Sequence, residues 1–283
     1  MNRPQLKEGI KVIPNNLKYN WSTIFFFIGI HILALIALRP IFWSYKAVGT
    51  LLILYWVTAC LGVTLGYHRL FAHSSFSVPN WLAMIIATFG ALSCQHGPID
   101  WAGLHRHHHL HSDDSADHHN SNLGFWWSHM GWMCKETPAK AYIKQLTPDL
   151  RKSAYFRWLN RYFLLLQIPL AIGLYLNGGW SLVLWGIPLR LVVVYQVTWL
   201  VNSATHRWGY VTYSSSNDCS RNNWWVALLT FGEGWHNNHH AYPHSARMGF
   251  KWWEIDLTWT HIKLLSRFGL AKKVRLAEPL THG

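Results

Sequence analysis

Charge is scarce in this 283-residue chain. Asp, Glu, Lys and Arg make up 13% of it, and only 12 residues are acidic. An ordinary soluble domain carries about a quarter of its residues charged, so that class is disfavoured at once. Cysteine is scarce too. Cys60, Cys94, Cys134 and Cys219 form no C-x-x-C pair. That excludes a zinc ribbon or a dithiol redox motif and leaves buried free thiols as the expectation. No H-E-x-x-H occurs, so the metalloprotease arrangement is absent. No nucleic-acid-binding motif occurs either. The first twenty residues hold no short apolar core with a small-residue cleavage site, so no signal peptide is expected.

Apolar residues fill the space that charge leaves. The chain is 51% hydrophobic and 16% aromatic, with 19 tryptophans. Tryptophan is enriched where membrane meets water. The net charge of +13 then suits a face turned to anionic lipid better than a nucleic-acid partner. Four stretches, at about 22–42, 47–66, 162–176 and 180–201, are candidates to cross a bilayer, which takes about 20 residues. The segments "RPIFWSYK" and "NGG" close two hairpins between them. The shorter apolar stretch 81–94 is expected at the interface or inside the protein. Four spans put both termini and the long loop 67–161 on one side. That loop carries Arg106, Lys135, Lys140, Lys144, Arg151, Lys152 and Arg157, so the positive-inside rule makes that side cytoplasmic. Arg190 falls inside the fourth span. Pro188 before it suggests a late helix start that lets Arg190 reach the far interface; a buried Arg is the alternative.

All the histidine clusters lie on the cytoplasmic side. "HRHHHLH" at 105–111 and "HNNHH" at 236–240 each contain H-x-x-H-H. Residues three and four apart share a helix face. His105, His108 and His109 therefore point one way, as do His236, His239 and His240, while His107 faces away. "HRLFAH" adds His68 and His73. A spacing of five shares no face on a straight α-helix, but suits a helix end that bends both rings inward. "NSATH" places Asn202 four residues before His206. Nine imidazoles exceed what one ion uses, so two metal ions fit the count. Nitrogen ligands alone leave Fe, Zn, Cu and Ni open.

The elements "GYHRLFAHSSF", "GPIDWAGLHRHHH", "GFWWSHMGW", "TWLVNSATHRWG" and "GEGWHNNHH" resemble the histidine boxes of integral-membrane fatty acid desaturases. The likeness is strongest to the stearoyl/Δ9 branch and its cyanobacterial and plant acyl-lipid members, over roughly residues 20–260. The resemblance implies an all-α integral membrane fold. Four transmembrane helices would carry a cytoplasmic helical cap, from 67–161 and 202–283, in one desaturase domain, 1–283. It implies two iron ions (Fe2+) and O2 as co-substrate. The implied ligands are His68, His73, His105, His108, His109, His206, His236, His239 and His240, with Asn202 acting through water. No catalytic residue beyond the metal centre is implied. Gln95, Trp101 and Thr198 match the groups that bend the acyl chain in such enzymes. Glu233 and Asp113 are the foremost candidates to hold ligand imidazoles in one tautomer. Asp100 and Asp117 are others, and Asp117, like Asp114, is equally suited to surface solvation. His96, His111, His118, His119, His129 and His244 are expected beside the boxes rather than on metal; His31, His261 and His282 are incidental.

One departure bears on the substrate. Acyl-CoA enzymes of animals carry an Arg-Asp pair where Gly103 and Leu104 stand here, which tilts the reading from acyl-CoA toward a glycerolipid-bound acyl chain. No H-P-G-G marks a fused cytochrome b5-like domain. An external electron donor is therefore expected, ferredoxin before cytochrome b5, in a cyanobacterial plasma or thylakoid membrane. The rivals are a histidine-box hydroxylase and a non-catalytic membrane metal-binding protein. The segment "SARMGFKWWEIDLTW" at 245–259 is expected to form an interfacial amphipathic helix.

Overall fold

The computed structural model describes residues 17–214 and 218–278. The polar stretch 1–16 and His282 lie outside them. Among the described residues the regular elements are all helices, with four isolated bridges and no strand. Helix α1 is Trp21–Ala37, with the Asn20 side chain capping its first turn. It stops five residues before the expected boundary, because Arg39 is extended ahead of Pro40 and a residue before proline is driven out of the helical region. Helix α2 runs Tyr45–Ala72, starting where the Ser44 hydroxyl accepts from the Ala47 amide. It extends past the expected end at 66 and so carries His68. The short apolar helix α3, Asn80–Ala91, lies tightly on α2. Gly62 faces the backbone of Phe89 and Gly90 so closely that any side chain there would collide with it. Small residues allow this approach.

The histidine-rich helix α4 is Pro98–His111, with proline in its first turn where a missing N–H does no harm. Helix α5, Ala154–His206, is one long apolar run that reverses at Gly178 and Gly179, the latter at φ 63. Glycine tolerates that left-handed geometry. The expected third and fourth stretches are the two limbs of α5, with Leu174 of one against Gly186 of the other. Two helical runs, α2 and α5, are long and apolar enough to cross a membrane; α1 and α3 are shorter apolar helices.

The two hairpin turns sit together. Trp185 Nε1 donates to the Ala37 carbonyl at 3.0 Å and the Ser181 hydroxyl to that of Phe42. The Lys46 ammonium donates to Asn177 O. Both α2 and the second limb of α5 start at this end and deliver histidines at the other. There α4, the short helix α6, His236–Ala241, and the loops between them close over the bundle. The expected helix at 245–259 does not form. The buried Glu254 carboxylate accepts from the amides of Phe250 and Lys251 and folds the segment into a turn. Helix α7 begins only at Leu257, capped by Asp256, and ends at Arg267. All four cysteines are free; Cys60 and Cys94 are buried, Cys134 and Cys219 partly so.

Candidate metal centre and its cavity

The lower part of α2, Trp56–Ala72, is wound as a π-helix. Its bonds run from residue i to i+5, and the His73 amide donates to the His68 carbonyl at 3.1 Å. This winding, rather than a bend at the helix end, brings His68 and His73 to the same side, with ring centroids 4.8 Å apart.

The nine predicted imidazoles converge, but in two groups. Ligand atoms of His68, His73, His105, His109 and His239 lie within 4.8 Å of one another, and so do those of His108, His206, His236 and His240. Each H-x-x-H-H triplet is therefore divided. His105 and His109 face one group and His108 the other; His239 faces the first and His236 and His240 the second. The face each triplet presents points between the two groups. His107 is buried on the opposite side of α4, near His111 and Tyr142.

Carboxylates fix several rings from behind. His206 Nδ1 donates to Asp113 at 2.8 Å, His108 Nδ1 to Asp117 at 2.9 Å and His240 Nδ1 to Asp218 at 2.8 Å. His68 Nδ1 pairs with Glu233. Glu233 in turn meets Arg69, which also holds Asp256 at 2.9 Å. Asp117 is fully buried, so its alternative as a solvated surface acid is excluded. Asp114 stays half-exposed and pairs with His111. Asp218, Arg69 and Asp256 were not singled out from sequence. Arg69 is adjacent to His68 in "HRLFAH", which was the available signal; Asp218 lies in an irregular loop with none.

These partners set the charge state. Burial raises the Asp113 carboxyl, but the His206 hydrogen bond, with Ser121 and the Cys219 amide, holds it well below the usual carboxylate range. Glu233 is lowered likewise by His68 and Arg69 against the effect of burial. Burial, and then neighbouring imidazoles, push His105, His109, His236 and His239 well below the usual histidine range. The rings stay neutral, with lone pairs to offer.

The inner nitrogens fit a cation. His206 and His240 turn Nδ1 to carboxylates, which leaves the Nε2 of each facing inward. Both face His236 Nε2, at 3.0 and 3.1 Å. His68 Nε2 similarly faces His239 Nε2 at 3.1 Å. The buried Nε2 of His108 has no protein partner. Converging imidazole nitrogens with carboxylates behind them are the donor set of a histidine metal site.

A cavity of about 360 Å³ reaches this centre. Its walls include Phe26, Phe27, Met133, Phe163 and Trp199; Asn20, Thr137, Lys135 and Lys140 stand among its polar groups. A smaller space of about 60 Å³ continues past His68, His108 and His236. Trp101, His105, Thr198 and Asn202 line both. Gln95 joins two of the predicted chain-bending groups: its amide donates to Thr198 Oγ1 at 3.1 Å and its oxygen accepts from Trp101 Nε1 at 3.4 Å. His96, His118 and His119 also line the larger cavity. His129 is held by Ser203 and Gln196, His244 by the His73 carbonyl, and His261 contacts Trp56.

Two groups of converging imidazoles beside a cavity with apolar walls are the makings of a helical protein that could hold metal against a long hydrocarbon substrate. The family can be stated outright. Residues 41–271 match the fatty acid desaturase family, and the chain belongs to that family of oxidoreductases. It is 53% identical over 268 residues to the sn-1 stearoyl-lipid 9-desaturase of Synechocystis sp., covering 93% of this chain and 84% of that one. It is 52% identical over 259 residues to the enzyme of the same name from Anabaena variabilis, covering 92% and 95%. It is 49% identical over 275 residues to the sn-2 palmitoyl-lipid 9-desaturase of Nostoc sp., covering 95% of each.

Proposed function

We propose that this chain inserts a cis double bond at Δ9 of a saturated acyl chain carried on a glycerolipid. The observation that carries the reading is the meeting of Gln95, Trp101 and Thr198 on the cavity wall beside His105, where the two spaces share a lining. Its apolar walls would take the acyl chain. Its polar groups, at Asn20, Thr137, Lys135 and Lys140, would take the glycerolipid end. Leu104, on the cavity wall, is apolar where the resemblance puts a charged residue in animal acyl-CoA enzymes. The names of the relatives point to lipid-bound chains too.

His68, His73, His105, His109 and His239 would hold one iron ion. His108, His206, His236 and His240 would hold the other, with Asn202 acting through water. Iron, when bound, supplies with O2 and two electrons the oxidising power to remove hydrogen from unactivated carbons. The protein's own work is to place the chain, exclude water and fix the imidazoles. The electrons come from an external donor, ferredoxin. Four spans, formed by α1, α2 and the two limbs of α5, would hold the histidine end in the cytoplasm of a cyanobacterial plasma or thylakoid membrane. The adjoining hairpin turns at the far end support that layout.

The test is a fatty acid profile by gas chromatography and mass spectrometry. The chain is expressed in a host with ferredoxin and no desaturase of its own. A new cis Δ9 monoene, appearing first in glycerolipids, is the expected result. First appearance in the acyl-CoA pool would shift the carrier, and hydroxylated chains would overturn the reaction.

Asp113 offers a second check. Its folded pKa is depressed, so the stability it gives is complete above an ordinary value of about 3.9 and is lost only as pH falls through the folded value. Lowering the pH from 7 to 5 leaves its contact with His206 charged. Asp113→Asn removes that charge at every pH. It should weaken iron retention against a chelator by roughly 10–100-fold, read as iron per protein by mass spectrometry.

A further inference from the structure

Arg190 is fully buried, so the expected reach to the far interface is not made. Among the described residues it has no carboxylate partner. Nε donates to the Gly186 carbonyl at 2.9 Å, Nη1 to the Leu92 carbonyl at 2.7 Å and Nη2 to Gln167 Oε1 at 3.2 Å. A cation deep in an apolar bundle is costly and stays there for a reason.

The Leu92 carbonyl ends α3, where a helix leaves carbonyls unsatisfied and carries partial negative charge. Gln167 Nε2 donates to the same oxygen at 3.1 Å. Five residues beyond Arg190, the Tyr195 hydroxyl donates to the Cys94 carbonyl at 2.7 Å. Three further on, Thr198 takes the Gln95 amide. One limb of α5 thus grips the loop 92–97 at three successive points. Two hold backbone and the third holds Gln95, on the cavity wall. The loop needs such a grip. Cys94 and His96, on either side of Gln95, have φ of 56° and 69°, and side-chain-bearing residues persist there only when their surroundings hold them.

We infer that Arg190 is a positioning residue that, with Tyr195, sets where along the acyl chain Gln95 bends it, and so which carbons face the histidine centre. This rests on the proposed desaturase activity. Neither side chain takes part in the oxidation. Releasing Leu92 or Cys94 lets the loop relax and moves Gln95 along Thr198, so the chain slides relative to the histidines.

The experiment places the double bond by mass spectrometry of dimethyl disulfide adducts, for the unaltered chain, Arg190→Met and Tyr195→Phe in the same host. In both variants the ratio of monoene at neighbouring carbons to monoene at the original position should rise on the order of tenfold, equivalent to about 1.4 kcal/mol between competing barriers. Arg190→Lys, whose single ammonium can reach Leu92 but cannot span Gln167 as well, should fall between. A single unshifted position in both variants, at whatever yield, overturns the inference. A merely structural role would lower yield without moving the bond. If Arg190→Met does not accumulate in the membrane, Tyr195→Phe decides on the same criterion. No monoene at all from the unaltered chain would overturn the activity itself, and this inference with it.

Discussion

Replacing His108 with alanine should abolish desaturation, while replacing His107, its neighbour in sequence, should leave most of it. Both rings are buried, so burial does not separate them. Direction does. His108 belongs to the group with His206, His236 and His240; Asp117 fixes its Nδ1, and its Nε2 is left for a metal. His107 stands on the other side of α4. Burial, and then His111, lower its pKa to about 4, so alanine there removes no charge at neutral pH. Loss at His108 should exceed the roughly 10–100-fold that an outer partner of a metal site costs. Monoene content and iron per protein are the two readouts. Equal loss in variants that accumulate equally would overturn the division of the histidines.

The second large effect is on stability, at Arg69. It is fully buried and holds two carboxylates, Glu233 at 3.1 Å and Asp256 at 2.9 Å, as well as the Ala246 carbonyl. Arg69→Met keeps the volume and removes the only Arg or Lys paired with these acids among the described residues. Breaking a buried ion pair from one side costs about 3–5 kcal/mol, because the partner charge stays behind. The thermal midpoint of purified protein should fall, and iron with it, since Glu233 also holds His68. Arg69→Lys keeps the charge but lacks the fork that spans both acids, and should recover only part of the loss. An unchanged midpoint in Arg69→Met would remove this network from the account.

Periodicity explains how much of this was legible beforehand. The H-x-x-H-H spacings brought out rings that the fold gathers and turned His107 away, because a helix face follows from sequence alone. Their division between two groups did not follow, because it depends on where α2, the end of α5 and α6 stand around α4. Apolar runs and the "RPIFWSYK" and "NGG" turns marked the hairpins. The end of α1, by contrast, depended on backbone sterics before Pro40. Gln95, Trp101 and Thr198, carried over by resemblance, do meet in space. The amphipathic pattern at 245–259 misled, since Glu254 turns inward to hold backbone amides. Asp218 and Asp256 were illegible because each acts alone, across the fold, from a segment with no repeat. Arg190 was legible as an oddity, but its partners were not.

The π winding of α2 makes the motif spacings a record of pitch. A wider coil carries more residues per turn, so the pair that shares a side is separated by four residues in "HRLFAH" and by two or three in the α-wound boxes. The same chemistry is therefore spelled differently according to the coil that delivers it. The two spellings are not interchangeable. Five-residue spacing transplanted onto α4 would put its rings about 140° apart around the axis. A search for such centres written in the α pitch alone would pass over His68 and His73.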